Sequence, residues 1–291
     1  MSHPTRTSSA ALSELQIRLI EMALDEDAVT NDLTANATID EHAAGTACIT
    51  AKAVGILSGS RIADEVFALV DKCIVCRWLV DDGAHLHAGQ VIAELSGPLA
   101  KLLAAERTAL NFLQHLSGIA TATNHFVAAV EGLSCGIVDT RKTTPGMRHL
   151  EKQAVLHGGG GNHRMDLASG MLIKENHIKG CGSITDAVNA CFAMQPDVWV
   201  EVECETLDEV RQAIEVCPDI ILLDNMSPEL VMQARALVPK SILLEASGNI
   251  TLANVRTYAE TGIDRIAIGA ITHSAPALDL SMRVEATGTR P

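Results

Sequence analysis

The chain has 291 residues, with 22 Lys and Arg against 36 Asp and Glu, so its formal net charge is −14. Hydrophobic residues make up 47% of the chain and aromatic residues only 2%, which predicts an aliphatic core suited to parallel strands under helices. The acidic balance disfavours general binding to nucleic-acid phosphates, and the scarcity of rings disfavours a base-stacking platform. No apolar run reaches the roughly 18 residues that span a bilayer, and the first residues lack a signal-peptide core. We therefore expect a soluble, cytoplasmic protein.

Eight cysteines are dispersed along the chain, as is typical of reduced thiols. Two of them, Cys73 and Cys76, form a CxxC motif that is followed by His85 and His87. These four side chains could bind zinc, but a zinc site built on this spacing usually has a second CxxC, and none follows. Two thiols in a strand and two loop histidines are the favoured interpretation.

The first third of the chain mixes helical and strand patterns. Residues 9–25 have the apolar spacing of a helix, and residues 31–34 look like a loop or a helix cap. The pattern then predicts strands over residues 45–58, 73–80 and 90–95, with a helix over 62–70. A long helix begins at Gly97 and Pro98 and runs to about Gly132, with a possible break near Gly118.

From Cys135 onward, short aliphatic runs alternate with helical segments. The six predicted strands cover residues 136–139, 171–174, 199–203, 220–224, 242–245 and 263–268. The helices between them include residues 184–194, 207–216, 228–238 and 252–261. This βα repeat predicts parallel strands in an α/β barrel or an open doubly wound sheet. Because the repeat has six strands rather than eight, we expect an incomplete barrel.

Each predicted strand is followed by polar residues or glycine. The residues at these ends are Asp139, Thr140, Arg141, Lys174, Glu175, Glu203, Asp224, Glu245, Ser247 and Gly269. In a barrel the carboxyl ends of all strands open on one face, where active sites lie. The sequence therefore predicts that these side chains meet at a single mouth.

A cationic, glycine-rich segment over residues 139–177 lies within this otherwise acidic chain. Five of its side chains are predicted to face the mouth: Arg141, Lys142, His163, Arg164 and Lys174. Such a cluster suits carboxylates or a diphosphate, with Arg able to bind bidentately. Three further cations, Arg148, Lys152 and Lys179, are predicted to be ordinary solvated charges. The four glycines 158–161 are a weak signal alone, because no GK[ST] of a P-loop follows them.

The later strand ends suit a sugar phosphate. Glu203 and Asp224 would bind ribose hydroxyls, with or without Mg²⁺. The small residues 247–249 and 269–270 precede predicted helices, an arrangement that suits a phosphate. The two halves together indicate a sugar phosphate beside a small acid.

Two cations in this arrangement have open alternatives. Lys174 at its strand end could be the Schiff-base lysine of an aldolase-type barrel. Arg107, on the long helix of the first domain, is an ordinary helix charge unless that helix reaches the mouth of its own or a neighbouring subunit.

Several long motifs, in order, carry a family resemblance. They are ERTALNFLQHLSGIAT (106–121), DTRKTTPGMRHLEK (139–152), GGGGNHR (158–164), LIKENH (172–177), VEVE (200–203), LLDN (222–225), LEASGNIT (244–251) and IGAITHSAPALDLSM (268–282). Over roughly residues 13–282 the chain resembles the quinolinate phosphoribosyltransferases. The resemblance implies an α/β subunit with an N-terminal α+β sandwich domain, residues 1–115, and an open, incomplete parallel α/β barrel, residues 116–291. It also implies a homodimer.

The resemblance further implies a set of site residues and a reaction. Quinolinate would be bound by Arg107 from across the dimer interface and by Thr140, Arg141, Lys142, His163, Arg164 and Lys174. Phosphoribosyl diphosphate would be bound by Glu203, Asp224, Ser247, Gly248, Asn249 and Gly269. The catalytic residues would be Lys142, Glu203 and Asp224. Mg²⁺ would be held by Glu203, Asp224 and the diphosphate, and the products would be nicotinate mononucleotide, diphosphate and CO₂.

Two alternatives stay open within this resemblance. A relative that kept the fold could bind a small anion without catalysis, as in relatives associated with molybdate transport. A transferase acting on nicotinate, a monocarboxylate, is the other. The extra cations favour a dicarboxylate.

Overall fold

Two β-sheets organise the chain, for which the computed structural model describes residues 12–286. One sheet has four strands, in the spatial order Leu280–Ala286, Ala44–Ala51, Val91–Pro98 and Val75–Trp78, and another has six parallel strands. Their cores are built mainly from Ala, Val, Leu and Ile, as the composition predicts. A third, small sheet pairs Gly55–Ile56 with His85–Leu86. Within the described residues, no helix has both the length and the apolar character needed to cross a membrane.

The N-terminal part contains the predicted mixture of helices and strands. Its elements are α1 (Glu14–Glu26), α2 (Leu33–Thr38), β1 (Ala44–Ala51), β2 (Gly55–Ile56), α3 (Ser60–Val70), β3 (Val75–Trp78), β4 (His85–Leu86), β5 (Val91–Pro98) and α4 (Leu99–Ala129). The predicted helix cap is present, since the Asp32 carboxylate accepts hydrogen bonds from the backbone N–H groups of Thr34 and Ala35 at 3.0 and 2.9 Å. Residues 9–11 of the first predicted helix lie outside the described residues.

The long helix α4 runs unbroken through Gly118, so the predicted break there is wrong. The glycine serves close packing instead. A Cβ atom at Gly118 would lie 2.2 Å from the carbonyl oxygen of Pro276. The absence of a side chain therefore lets the segment before the last strand lie directly on the helix.

The C-terminal part has the predicted βα repeat. Its elements are β6 (Gly136–Val138), α5 (Arg148–His157), β7 (Met171–Ile173), α6 (Glu175–Cys181), α7 (Ile184–Met194), β8 (Val200–Cys204), α8 (Leu207–Val216), β9 (Ile220–Asp224), α9 (Pro228–Leu237), β10 (Leu243–Ser247), α10 (Val255–Ala259), β11 (Arg265–Ala267), α11 (Ala270–His273) and β12 (Leu280–Ala286). The strands β6 to β11 form the parallel sheet, with β6 and β7 at its two ends. The α/β class with an incomplete barrel is thus confirmed.

Strand β12 was not predicted. It leaves the barrel and pairs antiparallel with β1, with Leu280 opposite Ala51. The end of the described chain therefore belongs to the N-terminal sheet. The predicted domain boundary at 115/116 falls inside the continuous helix α4, which packs against β1, β5 and β12 as well as α5.

The glycine run 158–161 has a packing role. A Cβ atom at Gly158 would lie 2.3 Å from the Ala120 carbonyl oxygen on α4. Gly161 extends the sheet beside β6, because its N–H donates to the Ile137 carbonyl at 2.8 Å and its carbonyl accepts from Asp139 at 3.1 Å. The run thus brings the chain close to α4 and delivers His163 and Arg164 to the carboxyl edge of the sheet.

Candidate active site

A cavity of about 560 Å³ opens at the carboxyl ends of the parallel strands. Seven of the ten predicted strand-end residues line it: Thr140, Arg141, Lys174, Glu203, Asp224, Glu245 and Ser247. The converging mouth is therefore present. The other three do not line it, since Asp139 is fully buried against Lys152, Glu175 is exposed and paired with Lys179, and Gly269 lies outside the wall. The other lining residues are Lys142, His163, Arg164, Gly248 and Asn249, which were also predicted for the site, and Leu172, Leu222, Asn225 and Ala267.

The first cationic wall follows β6. The Thr140 hydroxyl accepts a hydrogen bond from the Lys142 N–H at 3.0 Å, and the Thr272 hydroxyl donates to the Lys142 carbonyl at 2.7 Å. Arg141 is half-buried, and its Nε has no hydrogen-bond partner within the described structure. These bonds fix the backbone while leaving cationic groups available to a ligand.

Arg164 forms the second cationic wall. Its Nη1 donates to the Gly170 carbonyl at 3.0 Å, which orients the side chain. Burial, reinforced by the charge of Arg141, lowers the pKa of Arg164, while Glu201 and Asp166 oppose this effect. The protonated guanidinium is thus crowded by a like charge, and an anion bound between the two arginines would relieve that repulsion.

An ion pair crosses the cavity between the two predicted halves of the site. The Lys174 ammonium, just after β7, contacts the Glu203 carboxylate near the end of β8. Lys174 is 45% exposed and Glu203 13% exposed at the side chain, so the pair is open to a ligand on the lysine side. A substrate anion that binds Lys174 must compete with Glu203. An exposed, ion-paired lysine is also a poor candidate for a Schiff-base nucleophile.

The ends of β9 and β10 are locked to each other. Asp224 and Ser247 are direct neighbours in the parallel register. Asn249 donates from its side chain to the Asn225 side chain at 2.9 Å, and a Cβ atom at Gly248 would lie 2.2 Å from that same Asn225 oxygen. Gly248 has φ of 95°, which favours glycine. This packing presents the backbone of residues 247–249 to the cavity.

Both loops precede helices, as predicted, but the helix after residues 247–249 begins later than the predicted residue 252. Helix α10 begins at Val255, after an intervening turn, and α11 after Gly269 has only the four residues Ala270–His273. Asn254 provides the reason for the late start, since its side chain accepts from the Thr251 N–H at 2.7 Å and stabilises a turn. Gly269 adjoins the cavity through Lys142, whose Cδ would lie 2.9 Å from a Cβ at that position.

Beneath the cavity lies a buried group formed by His163, Glu201, Glu245 and Arg265. His163 Nε2 is 2.9 Å from a Glu201 oxygen and 3.6 Å from a Glu245 oxygen. Arg265 contacts the other Glu245 oxygen and lies 3.7 Å from Glu201. Burial, and next the charge of Glu201, raise the pKa of Glu245 to about 8. A protonated Glu245 relieves the repulsion between two acids in a low-dielectric site.

The trio His163, Glu201 and Glu245 has its ligand-type atoms within 4.8 Å of one another, which raises the possibility of a metal site. The hydrogen bonding of His163 argues against it. The Arg164 N–H donates to His163 Nδ1 at 2.7 Å, so the neutral ring carries its proton on Nε2. The Nε2 atom that carries this proton faces the two acids, and Nδ1 is bonded to the backbone, so the described ring offers neither nitrogen lone pair to a metal.

Two cations predicted to be solvated are not. Lys152 is fully buried, contacts Asp139, and donates to the His163 carbonyl at 3.0 Å. Arg148 is half-buried and donates to Thr143 and to the Met165 carbonyl. The prediction failed because α5 turns both side chains inward, where backbone and carboxylate oxygens pair them. Lys179, by contrast, is exposed and paired with Glu175, as expected of a surface charge.

Comparison with known proteins decides the family. The family model of the quinolinate phosphoribosyl transferase C-terminal domain matches residues 119–283, and that of the N-terminal domain matches residues 32–117. The chain belongs to the quinolinate phosphoribosyltransferase family.

Individual members of the family agree with this assignment. The chain is 44% identical to the probable nicotinate-nucleotide pyrophosphorylase (carboxylating) of Bacillus subtilis, over 94% of this chain and 95% of that one. It is 40% identical to nicotinate-nucleotide pyrophosphorylase (carboxylating) of Mycobacterium leprae, over 90% of this chain and 95% of that one. The structure of the nicotinate-nucleotide pyrophosphorylase of Francisella tularensis superimposes with a TM-score of 0.92 at 41% identity, covering 95% of this chain and 98% of that one.

Two residues that the family resemblance places at the site do not line the cavity of this chain: Gly269, which adjoins it through Lys142, and Arg107. Arg107 is exposed on α4, where it lines a separate groove of about 310 Å³ with Asn111, His115 and Met147. A role for Arg107 in quinolinate phosphoribosyltransferase chemistry would therefore require a second subunit.

Sequence reasoning missed some of the lining residues of this family member. Asn225 directly follows Asp224 and has φ of 54°, a conformation that asparagine tolerates better than most residues. The apolar wall of Leu172, Leu222 and Ala267 carries no polar signal at all. Cys73 precedes β3 and is exposed, and Cys76 lies on β3 and is half-buried; this strand belongs to the other sheet, and neither cysteine lines the cavity.

Proposed function

We propose that the chain transfers a phosphoribosyl group from phosphoribosyl diphosphate to quinolinate and releases nicotinate mononucleotide, diphosphate and CO₂. Such an enzyme would serve de novo NAD biosynthesis. One observation carries the proposal: a single cavity brings four cationic side chains of the acid-binding type and His163 together with two strand-end carboxylates. Family membership over both domains supports the same reaction.

The acid half of the site is proposed to hold quinolinate. Arg141, Lys142 and Arg164 would contact its two carboxylates, with Lys174 joining them as its bond to Glu203 is exchanged. Thr140 fixes the backbone of this wall through its bond to Lys142. Because His163 Nδ1 accepts from the Arg164 N–H and Nε2 lies 2.9 Å from Glu201, we propose that His163 lines the acid site as an oriented ring, while the lysines and arginines bind the charges.

The sugar half is proposed to lie against Glu203 and Asp224, with the 5′-phosphate on the backbone of Ser247, Gly248, Asn249 and Gly269. As the ring nitrogen of quinolinate forms its bond to the anomeric carbon, the bond from that carbon to the diphosphate breaks. The sugar is then cationic in the transition state. Carboxylates positioned nearby stabilise this charge without reorganising.

The residues present fit an Mg²⁺ ion that binds together with the substrate. Mg²⁺ is usually held by one or two carboxylates plus substrate phosphates, and the ends of β8 and β9 offer Glu203 and Asp224 side by side. When bound, the ion would supply charge neutralisation for the departing diphosphate. The chain's own contribution is to hold the two carboxylates at the cavity wall.

The second step breaks the bond between ring carbon 2 and its carboxylate. The electron pair stays on the ring carbon, next to the now positive ring nitrogen, and CO₂ leaves; the carbon then takes a proton from water. Lys142 and the two arginines would hold the ring and its remaining carboxylate through this step. We therefore propose Lys142, Glu203 and Asp224 as the catalytic residues.

The active unit is proposed to be a homodimer in which Arg107 of one subunit completes the quinolinate site of the other. Its exposure on α4, outside the cavity of its own chain, supports this arrangement. A cytoplasmic location is proposed as well, because all eight cysteines are free thiols, as suits a reducing compartment.

One assay tests the reaction. The purified protein is incubated with quinolinate, phosphoribosyl diphosphate and Mg²⁺, and nicotinate mononucleotide and CO₂ are measured together. Equal amounts of both products support the proposal. Turnover of nicotinate in place of quinolinate would favour the monocarboxylate alternative, and binding without either product would favour a non-catalytic relative.

A further inference from the structure

Helix α5 (Arg148–His157) carries three charged side chains that hold the cationic walls of the cavity from behind. The first is Arg148, whose Nε donates to the Thr143 hydroxyl at 3.0 Å. Its Nη1 donates to the Met165 carbonyl at 3.3 Å. Arg148 does not line the cavity, so its guanidinium group bonds to protein groups and is not placed to contact a ligand.

The two partners of Arg148 belong to different walls. Thr143 follows Lys142 in the segment that carries Arg141, and Met165 follows Arg164 in the segment that arrives from the glycine run. A guanidinium is a rigid plane with donors at fixed angles. One side chain bonded to both segments therefore sets the distance between them.

The next two charges brace the same segments. Glu151 is fully buried, and its two oxygens accept from the Thr144 N–H at 3.1 Å and contact His115 on α4 at 2.8 Å. Lys152, also fully buried, contacts Asp139 ahead of the first wall and donates to the His163 carbonyl in the second. Helix α5 thus holds each wall at two points.

We propose that Arg148 is a positioning residue that makes the site selective for a dicarboxylate by fixing the spacing between its two cationic walls. The inference rests on the proposed function. Two carboxylates on adjacent ring carbons must meet two cationic groups at once, so a change in spacing weakens their binding. A monocarboxylate needs only one wall and tolerates the change. Phosphoribosyl diphosphate, proposed to lie against the later strands, is bound independently of this spacing.

The test compares kinetic constants of Arg148→Gln, Thr143→Val and the double variant in the full-length protein. We expect Arg148→Gln and Thr143→Val each to raise the KM for quinolinate by about tenfold, as loss of a hydrogen bond to a charged group does. The KM for phosphoribosyl diphosphate and the inhibition constant of nicotinate should change by less than about twofold. The double variant should be no worse than Arg148→Gln, since Arg148→Gln already removes the bond between Arg148 and Thr143.

Matched variants separate positioning from general damage. Thr143→Ser keeps the hydroxyl and should retain the wild-type KM for quinolinate. If Arg148→Gln does not fold, the comparison of Thr143→Ser with Thr143→Val tests the positioning role on its own. Arg211→Gln, which removes an exposed cation paired with Asp208 on α8, should leave all constants unchanged.

Two outcomes would overturn the inference: an unchanged KM for quinolinate in Thr143→Val, or an equal rise in the KM of both substrates. Arg141→Ala in the same assay identifies which proposal has failed. If Arg141→Ala raises the KM for quinolinate and the Arg148 and Thr143 variants do not, only the positioning role is wrong. If Arg141→Ala also leaves it unchanged, the proposed acid site itself is wrong.

Discussion

The Lys142 side chain lines the cavity and passes next to Gly269. A Cβ atom at position 269 would crowd the Lys142 side chain. The backbone of Lys142 is fixed from both sides, by the Thr140 and Thr272 hydroxyls. Because the backbone that carries this cation is fixed, little of it has to reorganise when negative charge develops in front of Lys142, and such preorganisation is the basis of electrostatic catalysis.

Replacing Lys142 with Ala should lower kcat for nicotinate mononucleotide formation by roughly a hundredfold or more, because a preorganised donor is typically worth ~3 kcal/mol of barrier. Steady-state assays on the folded variant measure this. Lys179→Ala is the control, since Lys179 is exposed and bonded only to Glu175 in the described structure, and its kcat should match the wild type. A wild-type kcat for Lys142→Ala would remove Lys142 from the catalytic set.

Glu245 should make the protein less stable as the pH rises. Burial and Glu201 raise its pKa from 4.5 to about 8 in the folded state, with Arg265 opposing and Asp139 adding to the shift. Between these values the folded state holds a proton that the unfolded state has lost. The free energy of unfolding therefore falls with rising pH across that window, by at most about 1.4 kcal/mol per pH unit for one proton.

Urea unfolding of the wild type and of Glu245→Gln, at several pH values between about 5 and about 8, measures this contribution. Gln cannot ionise, so the variant should lose this part of the pH dependence and gain relative stability toward pH 8. Parallel curves for the two proteins would show that Glu245 titrates normally.

At the scale of single residues, the sequence correctly predicted most of the polar residues that end strands at the cavity, but not the fully buried Asp139 or the exposed Glu175. Arg141, Lys174 and Asp224 were predicted correctly, because strand ends converge whatever the details of packing. It failed for Lys152 and Arg148, whose environment depends on which way α5 turns. Burial of a charged side chain requires partners from distant segments, and a linear pattern does not identify them.

Among the elements, α4 has the largest structural role, since it packs against strands of the N-terminal sheet and against α5 beside the barrel. Its continuity through Gly118 contradicts the propensity-based break, because glycine lowers helix stability only modestly and tertiary packing overrides it. The βα repeat itself could be predicted from the sequence, since strands and helices differ in the spacing of their apolar residues.

Gly118→Ala should destabilise the protein by about 1–3 kcal/mol, despite the better helix propensity of alanine, because the new methyl group would meet the backbone carbonyl of Pro276. Thermal or urea unfolding measures the change. The matched control is Gly180→Ala on α6, where a Cβ atom meets nothing within 4 Å. That substitution should be neutral or stabilising by up to about 1 kcal/mol. Equal effects at the two positions would contradict the close contact at Gly118.

At the scale of the whole molecule, the groove around Arg107 and the cavity are two separate features of one subunit. The proposed homodimer joins the groove of each subunit to the cavity of the other. This arrangement makes a prediction that no single-subunit site shares.

Arg107→Ala and Lys174→Ala homodimers should each be nearly inactive, and mixing them under conditions of subunit exchange should restore activity. Half of the dimers are then mixed, and each mixed dimer has one site with both residues intact, so about a quarter of native sites return. Activity before and after exchange measures this. Mixing Arg107→Ala with itself is the control, and no regain from the mixed pair would mean that Arg107 acts in its own subunit or not at all.

The pairing of β12 with β1 has a consequence for biosynthesis. Strand β1 lies near the start of the chain, and the strand that covers its edge is translated after every strand of the barrel. As the protein leaves the ribosome, one hydrogen-bonding edge of its N-terminal sheet therefore stays open until β12 has been translated. Such an edge is a site of mispairing between nascent chains. A premature stop codon shortly before Leu280 would thus damage the first-made part of the protein, although every residue of the cavity would already be present.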